Sequence, residues 1–191
     1  MNLKQADFEN AADILDCSVA AIKAVAAVES SGGGFLPDGR PKILFEAHIF
    51  HRLTGGAYQI THPTLSSPTW NRALYGPPGA HQWGRLNQAR QLDEDAALQA
   101  ASWGAFQIMG MNYKPCGFDD VHQFVAEMMR DESAHLQAFS RFILSNSKMT
   151  GALRKQDWPS FARLYNGPGY AQNRYDLKLA EAFSKHNSEV V

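Results

Sequence analysis

Two glutamates stand where an amphipathic pattern calls for an apolar side chain. In "AAVESSGGGF", residues 26–35, Glu29 follows Ile22, Val25 and Ala26 by seven, four and three residues. On a helix these positions share one face, and that face is expected in the core. A carboxyl placed there is partly desolvated, which disfavours its anion. It also falls in the last helical turn, where the negative end of the dipole acts in the same direction. Both effects keep the proton on nearer to neutral pH, the state that a general acid requires. The three glycines that follow permit a tight exit and a close approach of backbone to a ligand. The same glutamate could instead pair with an arginine or reach solvent as the helix frays, since structural ion pairs also perturb acids.

The second glutamate is in "ILFEAHIFH", residues 43–51. Read as helix, Glu46 shares a face with Ile43, Ile49, Phe50 and Leu53. Two carboxyls on apolar stripes suit glycoside hydrolysis. One protonates the leaving oxygen; the other activates water or attacks the anomeric carbon. The competing reading pairs Glu46 with Arg40, Arg52 or a histidine.

Two further stretches carry polar groups in apolar settings. "SWGAFQIMG", residues 102–110, holds a lone amide, Gln107. It is either a core hydrogen-bonding group or a substrate contact. "LYNGPGY", residues 164–170, ends an apolar run, and Asn166 and Gly167 read as a helix C-terminus. Metal chemistry has weaker support. "EAHIFH" (Glu46, His48, His51) and "DESAH" (Asp131, Glu132, His135) contain ligand types without His-Glu-x-x-His spacing. No metal and no cofactor is expected. His48 reads as a cleft polar group or a core-edge histidine.

These groups need a scaffold, and most of the chain has a helical period. Stripes run through Phe8, Ala11, Ala12 and Leu15; through Val19 to Glu29 with Ser18 as N-cap; and through Ile43, Ala47, Phe50 and Leu53. Others run from Val121 to Met129, capped by Asp119 or Asp120, on through Leu136 to Ile143, then Trp158 to Tyr165 and Tyr175 to Phe183. Methionines and aromatics at such spacing are core. Residues 55–82 break the rhythm with four prolines and several glycines around Tyr58, Ile60, Trp70 and Tyr75. A long aromatic loop in a compact domain is a lid, a binding loop or a small lobe. "AYQIT", residues 57–61, has some strand character and could form half of a hairpin. The expected fold is mainly α with one irregular or short-hairpin lobe. The lobe aromatics either wall a groove and stack on ligand or pack in the core.

Composition narrows the classes. The chain has 191 residues, 45% of them hydrophobic, and a formal net charge of −1. That suits one domain with a single core and gives no nucleic-acid footprint. The basic tilt from Arg154 to Lys185 reads as solvated helix surface. Cys17 and Cys116 form no disulfide framework and are expected as reduced thiols. Asp7, Glu9, Asp13 and Asp16 occupy positions where a signal peptide would be basic and then apolar. The run from Val19 to Val28 is too short to span a bilayer. Cytoplasmic synthesis without a signal peptide and no integral membrane association are expected.

In this order, "VESSGGGF", "SWGAFQIMG" and "LYNGPGY" resemble the signatures of the goose-type lysozyme and soluble lytic transglycosylase superfamily. The similarity is closer to the N-acetylmuramidases of phage endolysins, through "ILFEAHIFHRLTGG", "ASWGAFQIMG" and "DWPSFARLYNGPGY". It covers nearly the whole chain; each motif alone is weak, and the ordered set is specific. The resemblance implies a lysozyme-like helical domain that cleaves peptidoglycan glycan strands between N-acetylmuramic acid and N-acetylglucosamine. It implies Glu29 as catalytic acid and Glu46 as the second acidic position. It implies cleft and substrate contacts at Gln107, Tyr165 and Asn166; His48, Ser102 and Trp103, within the same motifs, are expected as substrate contacts beside them. A monomer of one catalytic domain over residues 1–191 is expected, without a separate wall-binding domain. The expected site of action is the cell wall, reached by holin-type release. Lytic transglycosylation by the same acid remains open, as does a non-catalytic glycan-binding relative or an antibacterial effector.

Overall fold

The computed structural model describes residues 2–30 and 32–188. Helix α1 (Gln5–Leu15) and helix α2 (Val19–Glu29) form an opening hairpin. The chain reverses at Asp16, in the left-handed region at φ 51°. Ser18 caps α2, its Oγ accepting from the Ala21 N–H at 3.2 Å. Helix α2 buries Ala20, Ala21, Ile22, Ala24, Val25 and Ala26. Small side chains on almost every side let α1 and the last helix pack close to it.

The middle of the chain builds a small antiparallel sheet of order β1–β2–β3: Ile43–Phe45, Ala101–Trp103 and Ile108–Met109. Helix α3 (Ala47–Leu53) follows β1, and α4 (Ala80–Arg90) and α5 (Glu94–Gln99) precede β2. The register pairs Ile43 with Trp103 and Trp103 with Ile108. Those three and Phe45 are buried in the core. Leu44, Ser102 and Met109 are paired across the other face, as the period-2 alternation of strands requires.

The C-terminal half packs α6 (Val121–Met128), α7 (Glu132–Leu144), α8 (Ser147–Arg154), α9 (Trp158–Asn166) and α10 (Tyr175–Ser188) around the same core. Asp120 caps α6 and Asp131 caps α7, which splits the apolar run from Val121 to Ile143 into two helices. Helix α9 ends at Asn166 with Gly167 following at φ 77°. Helix α10 lies along α2 and α9.

Two expectations need correcting. Ile43 begins a strand rather than a helix, because a β-branched and aromatic segment finds Ala101–Trp103 as a partner. The segment 57–61 is a run of turns in which Tyr58 packs on the core while Ile60 is 93% exposed, so it forms no strand of a hairpin. Helices α4 and α5 fill a stretch for which the sequence shows no continuous apolar stripe. In α4 the stripe Trp83, Leu86, Ala89 is interleaved with the buried polar residues Gln82 and Arg85, which hide its amphipathic signal. Both cysteines are free, and burial pushes their thiols up, Cys17 to about 11 and Cys116 to about 12. Neither is a nucleophilic thiolate near neutral pH. Among the described residues no helix is long and apolar enough to cross a membrane.

Candidate active site

Glu29 closes α2 at the edge of a cleft of about 540 Å³. Gln107, Met109, Tyr165, Asn166 and Tyr175 line the same cleft. The nearest partner of the carboxyl is an amide, not an arginine: Asn166 Nδ2 donates to Glu29 Oε1 at 3.0 Å. Burial raises the carboxyl above the ordinary glutamate range, and the Asn166 hydrogen bond and the Lys178 charge on α10 oppose it. The Asn166 bond favours the anion, so its removal should let the pKa rise further. For Asn166→Ala, the limb on which activity falls with rising pH is therefore expected to move to higher pH. A kcat/KM profile checks this, and an unmoved limb would detach that limb from Glu29.

Tyr165 is placed by its ring and tethered by its hydroxyl. The ring stacks on Phe161 and meets Phe139 edge-on at 5.4 Å. The hydroxyl donates to the Phe106 carbonyl at 3.0 Å, tying α9 to the turn between β2 and β3. Burial and the nearby Glu29 charge raise the phenol above its usual value. It is a neutral donor at the acid's side.

Gln107 sits in that turn with φ 48°, in the left-handed region where a non-glycine residue is strained. Its amide repays the strain. Nε2 donates to the Gly104 carbonyl at 2.8 Å and the Lys42 carbonyl at 3.3 Å, while Oε1 accepts from Ser102 Oγ at 2.9 Å. Both donor hydrogens are thus used within the protein. Gln107 lines the cleft, and its amide fixes the hairpin, as the hydrogen-bonding reading of the lone amide expects. Ser102 is 5% exposed and acts through Gln107. Trp103 is corrected outright: it is 1% exposed, packs edge-on against Trp83, and donates its N–H to the Leu98 carbonyl. A side chain so enclosed presents no surface to a glycan.

Glu46 belongs to the strand–helix junction rather than to a helical face. Its backbone is still extended (φ −103°, ψ 97°), and its N–H donates to the Ala100 carbonyl. Two residues beyond Leu44, it continues the sheet face of Leu44, Ser102 and Met109. Met109 on that face also lines the Glu29 cleft. The Glu46 carboxylate accepts from the Tyr75 hydroxyl, and Oε2 lies 3.3 Å from His48 Nδ1. Arg85, itself buried, adds a positive charge nearby. It bonds the Phe45 and Thr64 carbonyls and lies 5.9 Å over the Tyr75 ring. Arg40 pairs instead with Asp38, and Arg52 reaches Met111, so a histidine, His48, is the neighbour among those weighed for Glu46.

The structure also shows positioning groups that sequence reading missed. Glu132 and His135, one turn apart on α7, clamp the loops beside the cleft. Glu132 accepts from the backbone N–H groups of Gly34, at 2.6 Å, and Asn2. Burial alone would raise its carboxyl, but those donors hold it below the usual range. His135 is 1% exposed and stacks on Phe35 at 5.0 Å. Its Nδ1 accepts from the Ala105 N–H at 3.1 Å, which leaves Nε2 to donate to the Met128 carbonyl at 2.7 Å. Burial lowers its pKa, consistent with this neutral tautomer. The segments so fixed are the one that follows Glu29 and the one that precedes Gln107. Gly34 is a glycine for space: a Cβ there would lie 2.4 Å from His135 Nδ1 and 2.9 Å from the Ala105 nitrogen. Gly34→Ala is accordingly expected to cost about 1–3 kcal/mol as overpacking, read as a lowered Tm in calorimetry. The three glycines "SGGGF" made the loop legible; the clamp on it had no signal beyond "DESAH".

Those roles consume the residues weighed as metal ligands. Asp131 caps α7, while Glu132 and His135 are hydrogen-bonded as above; His51 Nδ1 faces Ser66 Oγ at 3.2 Å. Among the described residues no group of three His, Cys, Asp or Glu is arranged to hold a metal ion. A larger cavity, about 790 Å³, lies by Gly32, Gly33 and residues 129–133. Arg130 there is paired with Glu127 and Asp131, and Asp7 with Ser133.

The order of parts is shared with known proteins. The crystal structure of the Burkholderia AP3 phage endolysin superposes with a TM-score of 0.93 at 44% sequence identity, over 99% of this chain and 72% of that one. A comparison with curated protein sequences finds no match. The family model described as N-acetylmuramidase matches residues 18–187, from the cap of α2 through nearly all of α10. With a lysozyme-like fold, an acid at the end of α2 and a cleft floored by the β2–β3 turn, the chain belongs to the N-acetylmuramidase family.

Proposed function

We propose that the protein is a peptidoglycan-degrading endolysin that hydrolyses the β-1,4 bond between N-acetylmuramic acid and N-acetylglucosamine. One observation carries the reading: the two carboxyls have opposite surroundings. Glu29 is desolvated and its pKa is raised. Glu46 accepts from Tyr75, neighbours His48 and lies near the Arg85 charge. The raised acid of Glu29 suits the proton donor, and the carboxylate held by Tyr75 beside the same sheet face is the candidate for the second role.

In this mechanism Glu29 protonates the glycosidic oxygen as the bond to the anomeric carbon breaks. Glu46 takes a proton from a water that attacks that carbon from the opposite face, inverting it. The Tyr165 hydroxyl and the Gln107 amide, both committed to backbone, keep the cleft wall rigid, which lowers the reorganisation needed at the moment of reaction. The chain works as one catalytic unit, a monomer, on glycan strands of the cell wall reached by holin-type release.

Purified murein sacculi test the reading. Clearing of the suspension with new reducing ends is expected; sacculi that stay turbid while the protein binds them would instead make it a glycan-binding relative. Proton NMR of the first anomer released then reads the stereochemistry. The α-anomer supports Glu46 as base, and the β-anomer would make it a nucleophile.

A further inference from the structure

The site as described leaves one conspicuous side chain unused. Trp70 is 61% exposed, in the lobe between α3 and α4. Its ring centroid lies 6.1 Å from that of Tyr75, with the planes 51° apart. The Tyr75 hydroxyl in turn donates to the Glu46 carboxylate. Ring contact and hydrogen bond together place Trp70 beside the second carboxylate.

We infer that the open face of Trp70 is a stacking platform for one pyranose ring of an N-acetylated β-1,4 hexosamine chain. The inference rests on the glycan-cleaving reading above and adds to it a binding subsite.

The lobe is built to hold such a platform still. Ser67 Oγ donates to the Thr69 carbonyl at 2.8 Å, immediately before Trp70. Asn71, immediately after it, accepts from the Ala73 N–H at 3.0 Å and caps a short 3-10 turn. Gln82 Nε2 donates to the Tyr75 and Pro77 carbonyls at 2.7 and 3.0 Å, and Arg85 covers the Tyr75 ring. A ring fixed before the ligand arrives loses little entropy on binding. It also combines an apolar face with polar neighbours, Asn71 and Arg72, both exposed, for sugar hydroxyls and amides. Ile60, the most exposed large apolar side chain at 93%, has a comparable area but no aromatic face. The platform adjoins the second carboxylate, whose sheet face leads through Ser102 and Met109 to the Glu29 cleft. A strand lying from Asn166 past both acids would therefore meet Trp70 beyond Glu46.

The test uses two substitutions. Binding of penta-N-acetylchitopentaose is measured by calorimetric titration, and kcat and KM are measured on solubilised murein glycan. Trp70→Ala is expected to weaken oligomer binding and raise KM by roughly ten-fold or more, the scale of one aromatic contact. Trp70→Phe keeps an aromatic face, so KM should stay within about three-fold. Unchanged binding and KM in Trp70→Ala overturn the platform. A KM raised as far in Trp70→Phe as in Trp70→Ala overturns it as well. If the wild-type protein cleaves no murein, the glycan-cleaving reading fails, and oligomer binding that disappears in Trp70→Ala still supports the platform. An exposed residue should be replaceable without unfolding, which circular dichroism of each variant verifies.

Discussion

Glu29→Gln is expected to fold, to bind glycan and to lose at least roughly two orders of magnitude in cleavage rate, the lower end of general-acid contributions. The substitution keeps volume and an oxygen that accepts from Asn166 Nδ2, so the contact between α2 and the end of α9 survives. What disappears is the transferable proton. A stability signature should accompany the kinetic one. The folded-state pKa of Glu29 is raised, chiefly by burial. Below the unfolded value, about 4.3, both states are protonated and the residue carries no ionisation penalty. As pH rises through that value the unfolded chain ionises first, and the native state falls behind until pH passes the raised native pKa. Glu29→Gln should therefore gain in Tm over the wild type as pH rises from 4 to 7, and the gap should close on return to pH 4. Full activity in this variant would remove Glu29 from the mechanism; a Tm gap that does not vary with pH would remove the desolvation argument.

Glu46→Gln should be slow for a different reason. The amide oxygen can still accept from Tyr75, so the junction between β1 and α3 keeps its shape. The group can no longer take a proton from water. A loss of about 10²-fold or more in kcat, with KM little changed, is the expectation for a base that acts only in the transition state. Near-normal kcat would make Glu46 structural. It would also favour the mechanism that needs no activated water, in which the muramic 6-hydroxyl attacks and a 1,6-anhydro sugar is formed.

The two glutamates were legible in the sequence to different depths. Glu29 was readable because its whole environment is local: one helix face, one helix end and a glycine exit. The direction of its pKa followed from that face alone, whereas its partner did not. Asn166 is 137 residues away, and only the packing of α9 and α10 near α2 brings it there. Glu46 was noticed for the wrong local reason. It sits on a sheet face, not a helix face, because a three-residue strand is too short for alternation to stand out against a helical stripe. Trp103 shows the limit from the other side. Its place in "SWGAFQIMG" pointed to the cleft, but strand alternation puts Ser102 on the cleft side and Trp103 in the core. Tyr75, Arg85, Glu132 and His135 act across distances of sequence that no spacing rule covers. Buried arginine and glutamine in α4 read as surface until the lobe they anchor is seen.

The central claim, hydrolysis of the glycan by an acid and a base, is tested most directly by mass spectrometry of fragments released from purified peptidoglycan. Hydrolysis predicts muropeptides that end in reducing N-acetylmuramic acid, each one water heavier than its cyclised counterpart. Fragments ending in 1,6-anhydro-N-acetylmuramic acid would contradict it, and fragments ending in reducing N-acetylglucosamine would place the cut at the other bond.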